Sequence, residues 1–222
     1  MKKLFLGAVL AAGLMSSVVA QGLFVGAEGD YIIKSKVQET STQYDASTLT
    51  YDKSTLTIDD SLFGLGFKFG YDFDKAKIYT KLSATNKLKD EIVVNGIKSD
   101  AEMSFYNFVI GADFTPQVQQ NIKFLIGIYS GIEIANYKIT ANQANVYILS
   151  EDTDTAYIYG VRIGGIYSFN DHNEIEIGLN LDQSKYTKTT EKYINAGVLQ
   201  EDDKADTKRS GVGIFVGYNY KF

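Results

Sequence analysis

Apolar and polar residues alternate along most of this chain with a period of two, the spacing of a strand with two unlike faces and not of a helix. Gly211 to Phe222 shows it most plainly. Val212, Ile214, Val216, Tyr218, Tyr220 and Phe222 share one face, and Gly211, Gly213, Phe215, Gly217, Asn219 and Lys221 the other. Ser61 to Tyr71 is equally clear, with Phe63, Leu65, Phe67, Phe69 and Tyr71 opposite Leu62, Gly64, Gly66, Lys68 and Gly70. Six further stretches repeat the scheme: Gly22 to Ile33, Ala76 to Ala84, Ser104 to Phe114, Ile122 to Ile134, Tyr157 to Phe169, and Glu174 to Asp182.

The connections carry a second pattern. Asp72 to Lys75, Thr115 to Asn121 and Asn170 to Asn173 are short, whereas Lys34 to Asp60, Thr85 to Met103, Ala135 to Ala156 and Gln183 to Ser210 are long and polar. Short and long alternate strictly, as tight turns at one end of a barrel and longer loops at the other would. The continuous apolar faces are expected to point outward, because the opposite faces hold charges and glycines that hydrocarbon would penalise. The predicted fold is all-β, an eight-stranded antiparallel up-and-down transmembrane β-barrel. A soluble lipocalin-like barrel would invert these faces, and it leaves the turn alternation unexplained.

Composition changes the picture in three ways. The acidic balance, net −5, comes with no basic stripe, which argues against a nucleic-acid partner. The absence of cysteine removes disulfides, thiolate catalysis and cysteine metal sites. Sixteen Tyr, 13 Phe and 20 Gly against one Pro favour long strands whose backbones approach closely.

At the start, Lys2 and Lys3 precede the apolar run Leu4 to Met15, followed by Ser16, Ser17 and the small-residue exit Val18-Val19-Ala20. This is the layout of a secretory signal peptide, expected to be cut between Ala20 and Gln21. Residues 1–20 are read as the signal peptide and residues 21–222 as the barrel domain.

The ending Tyr218-Asn219-Tyr220-Lys221-Phe222, together with the signal peptide, the eight segments and the long loops, resembles the small bacterial outer-membrane β-barrels of the opacity-type, porin-family group. The resemblance covers residues 21–222 and rests on architecture and the terminal motif. It implies location in the cell outer membrane, contact with membrane lipid and lipopolysaccharide, and recognition of Tyr218, Tyr220 and Phe222 by the barrel-assembly machinery. Such families include surface adhesins, envelope-structural proteins and a few enzymes. The role it suggests here is envelope-structural or surface-interacting, with an extracellular ligand or host surface met at the four long loops. The alternative is a narrow porin-like channel for ions or small solutes.

Those two readings divide on the lumen. A barrel of eight strands is only wide enough for side chains to fill. Its inward glycines either leave room for water or let Tyr129, Ile166 and Phe215 cross and pack. Glu28, Lys68, Lys81 and Arg162 lie at similar distances along their strands from the turn end, so they are expected to form an ion-pair network centred on Arg162 and Glu28.

Catalysis has few candidates. The single histidine, His172, falls in a short turn, away from the long loops where barrel enzymes work, and the protein is not expected to be an enzyme. The acid pairs Asp59-Asp60, Glu151-Asp152 and Asp202-Asp203 lack a spaced oxygen-ligand pattern, so neither metal nor cofactor is expected. Val93-Val94-Asn95-Gly96-Ile97 carries the signal of a tight hairpin and predicts a projecting ribbon.

Overall fold

The computed structural model describes residues 22–45, 50–94, 97–143, 146–187, 189–195 and 198–222. Their strands are β1 (Leu23–Asp45), β2 (Thr50–Asp72), β3 (Ala76–Thr85), β4 (Leu88–Val94), β5 (Ile97–Phe114), β6 (Gln117–Gln119), β7 (Ile122–Gln143), β8 (Val146–Ser168), β9 (Asn173–Tyr186), β10 (Thr189–Asn195) and β11 (Val198–Lys221). β4 pairs with β5 and prolongs β3, β10 pairs with β11 and prolongs β9, and β6 is a short strand in a turn. Eight antiparallel staves remain, each bonded to its sequence neighbour, and β1 pairs with β11 from Phe24↔Lys221 to Thr42↔Lys204 to close the cylinder. Phe222 N donates to Leu23 O at 2.9 Å and completes the seam. Among the described residues closure leaves no long unpaired edge, the hazard of an open sheet.

Side chains sort by parity as the alternation requires. Phe67 and Ile128 are each 64% exposed on the outside, while Phe24 and Leu125 face inward at 0%. Left in water, each such outward side chain would forgo about 1.5–3 kcal/mol of burial. The run from Phe63 to Tyr71 matches the about 9–11 residues a tilted strand needs to cross a bilayer. Aromatic pairs gather at the short-turn end: Tyr71 with Phe73, Tyr167 with Phe169, and Tyr220 with Phe222, whose ring centroids lie 4.6, 5.1 and 5.4 Å apart.

The short turns are built by local polar groups. Asp74, at φ 73°, takes the left-handed conformation, and its amide donates to Asp72 Oδ1 at 2.8 Å. In the β8–β9 turn, the amides of His172 and Asn173 both donate to Asn170 Oδ1.

At the opposite end the structure corrects the expected loops. Most of the polar stretches between Lys34 and Asp60, Thr85 and Met103, Ala135 and Ala156, and Gln183 and Ser210 are ladders that prolong the staves, with pairing as far as Asp45↔Thr50, Val94↔Ile97, Gln143↔Val146 and Asn195↔Val198. The reason is that backbone bonds sustain a ladder whatever side chains it carries, so polarity does not mark where a strand stops. The Asn95-Gly96 turn itself lies outside the described residues. One irregularity moves the inner face: the register shifts between Ile32 and Ser35, a bulge after which Ser35 and Val37 point inward.

Candidate functional site

The lumen holds two charged layers beneath an apolar collar. In the layer nearer the short turns, Glu28 of β1 and Glu176 of β9 both pair in register with Gly217 of β11, which puts two carboxylates side by side. Across from them Lys68 of β2 bonds both, reaching Glu28 Oε2 at 3.1 Å and also Glu176. Arg162 of β8 enters from a third side, with Nη2 at 3.2 Å from Glu28, 3.1 Å from Glu176, and Nε at 3.8 Å from Asp113. Lys81 joins Glu28 (2.7 Å) to Asp30 (2.8 Å), and Lys77 joins Glu174 (2.6 Å) to Glu176 (3.1 Å).

Glycine makes the central contact possible. Asp113, Gly127 and Arg162 are cross-strand neighbours, and a Cβ on Gly127 would stand 1.9 Å from Asp113 Oδ1 and 2.9 Å from Arg162 Cγ. Without that gap the guanidinium and Asp113 would be driven apart. Likewise Tyr129 lies over Gly160, where a Cβ would fall 2.4 Å from its ring.

Apart from the partly exposed Lys81, these charges are withdrawn from bulk water, and an unpaired charge there is costly, so each base finds at least one acid. Arg162 also rests its Cζ 3.9 Å from the Phe215 ring centre, and Phe215 packs with Leu125 and Ile166. Two voids in this region measure ≈ 20 and ≈ 40 Å³, room for about one water and for a few waters.

Further along, Arg209 forms the second layer. Its guanidinium contacts Glu133 at 2.7 Å and Asp182 at 2.8 Å, and Tyr186 donates its hydroxyl to Glu133 at 2.7 Å. Beyond Arg209 the inward residues turn apolar. Ile32, Val37, Ile58, Leu62, Leu88 and Phe105 pack with Ala135, Ala156 and the Tyr186 ring into one collar.

On the ribbons, beyond the apolar belt formed by the outward side chains of the eight staves, Lys87 and Lys89 grip Glu102 at 2.6 and 2.9 Å. Their hydrogen bonds lower the Glu102 carboxyl to about 2. Burial and a hydrogen bond donated to Asp152 push the Tyr137 hydroxyl up to about 12.

Glu28, Lys68, Lys81 and Arg162, the four lumen residues singled out from sequence, thus stand in mutual contact. Sequence reasoning gave no role in that network to Glu176, Glu174, Lys77, Asp113 or Asp30. The signal was present in their inward parity, but ranking strands by distance from their turns ignores the stagger that brings Glu176 level with Glu28. Tyr218, Tyr220 and Phe222 all point outward near the closing seam. Ala20 and Gln21 lie outside the described residues.

His172 sits in its turn with Nδ1 2.9 Å from Lys221 O and its ring stacked on Tyr220, a bracing role at the end opposite the ribbons. Asp59 is exposed and ion-paired with Lys34 at 3.3 Å. The side chains of Glu151, Asp202 and Asp203 lie outside those described. Among the described residues no cluster of three or more histidines or acids is placed to hold a metal ion.

No known family profile and no curated protein matches the sequence. Solved structures do resemble the fold. The outer membrane protein OprG from Pseudomonas aeruginosa shares 15% identity over 91% of this chain and 97% of its own, with a TM-score of 0.44. Ail, the attachment invasion locus protein of Yersinia pestis, shares 15% identity over 88% and 99%, at 0.41. The outer membrane protease OmpT from Escherichia coli shares 8% over 90% and 97%, at 0.40.

Proposed function

We propose that this protein is an integral barrel of the bacterial outer membrane, that its lumen is sealed, and that it acts through its ribbons as an envelope-structural or surface-interaction protein. One observation carries the reading: the barrel is apolar outside and ion-paired inside. Such a cylinder is at home in hydrocarbon, and its filled interior removes the solute path that a channel needs. With conduction absent, the parts left to meet other molecules are the paired ribbons, which project past the belt at one end. Catalysis has no place in this reading, since the one histidine braces the far turn.

The absence of cysteine offers a direct test. Single substitutions Thr153→Cys on a ribbon and Asp171→Cys in the far turn are treated in intact cells with a membrane-impermeant maleimide. Labelling of the first alone, on protein that fractionates with outer membranes, is the expected result. A soluble protein, or labelling of the turn alone, would overturn the reading.

Assembly is proposed to depend on the outward aromatics of the closing strand. Phe222→Ala should therefore reduce the heat-resistant folded form in outer membranes several-fold, while unchanged yield would remove that role.

A further inference from the structure

Above the apolar collar the lumen opens into a cavity of ≈ 330 Å³ at the ribbon end. That volume lies at the lower end of the range of about 300–1,000 Å³ typical of small-molecule sites. Its floor and walls are the collar itself, with Val37, Ile58, Leu88, Met103, Ala135 and Tyr186. The cavity therefore offers an apolar body an apolar seat, unlike the charged layers below it.

The acids at this cavity are not each held by a base, as Glu28 and Glu176 are in the layer beneath. Glu102 and Lys138 face each other in register at its margin, and Glu102 already holds Lys87 and Lys89. The two other charged residues of the lining are Glu39 and Asp154, both acids. Asp154 is partly buried, and burial together with neighbouring Asp152 pushes its carboxyl up from the ordinary value, the response of an acid with no cation beside it. Among the described residues neither Glu39 nor Asp154 has a basic partner.

From this we infer that the mouth of the barrel is a binding site for a small organic cation, a primary amine on an apolar body. The body would sit on the Leu88 and Tyr186 side of the collar, and the ammonium would lie between Asp154 and Glu39. A neutral analogue gains only the apolar seat, and an anionic one meets two carboxylates. The site neither requires nor implies passage through the lumen, because Arg209 and its acids close the floor beneath it. It is also separate from the surface role proposed above, so either can fail alone.

The test is calorimetric titration of the folded protein in lipid nanodiscs with 4-phenylbutylamine, 4-phenylbutanol and 4-phenylbutyrate, after subtraction of protein-free nanodiscs. The amine should bind at least tenfold more tightly than the alcohol, and the carboxylate more weakly than either. Asp154→Asn should erase most of the amine's advantage and leave the alcohol unchanged. Ala101 lines the cavity and packs against the collar, so Ala101→Phe should weaken amine and alcohol together, with heat resistance confirming that both variants fold. Equal binding of the three probes, no amine binding above the protein-free nanodiscs, or an amine advantage that survives Asp154→Asn would overturn the site.

Discussion

The two ends of one lumen solve the same packing problem with opposite chemistry. Around Arg162 the space is filled by charges that neutralise one another, with Glu28 and Glu176 each held by more than one base. Around Leu88 it is lined by apolar groups that leave a cavity. The difference lies in what a missing side chain does. An ion-paired layer that loses a member keeps an uncompensated buried charge, whereas an apolar collar open to solvent merely enlarges its cavity. The first arrangement makes a seal and the second makes room.

The largest effect should come from breaking the seal. Arg162→Ala removes the partner shared by Glu28, Glu176 and Asp113, and an uncompensated buried charge costs about 3–5 kcal/mol. Urea unfolding of the folded barrel in liposomes should report a loss of that size. At the collar, Leu88→Ala should cost less, about 2 kcal/mol, the low end for leucine truncation, because the neighbouring cavity already admits solvent. If the Leu88 variant proved the weaker of the two, the collar and not the charged layer would be the structural centre.

The smallest effect belongs to the ribbons, where the same ion pairing is exposed. Lys87 and Lys89 hold the Glu102 carboxyl at about 2, below its ordinary 4.5, so the folded state prefers it ionised. That contribution is complete above pH 4.5 and fades as pH falls toward 2. Carbon-detected NMR of the Glu102 carboxyl should show a midpoint near 2, and Lys87→Ala with Lys89→Ala should return it toward 4.5.

How much of this could be read from the chain depended on contrast. The eight crossings were legible because an outward Phe63 or Ile128 alternates with an inward Gly64 or Tyr129, and the belt must be apolar on one side only. Apart from the ribbon that Val93 to Ile97 announced, the ribbon extensions were not, because past Ile134 or Tyr157 the outer face turns polar and the alternation fades while the ladder continues. Arg162 and Glu28 could be chosen as lumen charges by parity alone. Glu176 and Asp113 needed the stagger, which is set by closing the cylinder and not by any one strand. The mouth cavity was the least legible feature. Its lining comes from several staves, and Val37 faces inward only because of the bulge after Ile32.

Single-channel conductance in a planar bilayer tests the sealed lumen most directly. The parent protein should be silent, with Arg162→Ala combined with Arg209→Ala producing discrete ion-conducting steps through the space the two guanidiniums vacate. Steady, ion-selective openings from the parent would contradict the account, because no such current can pass an Arg162 layer that remains closed.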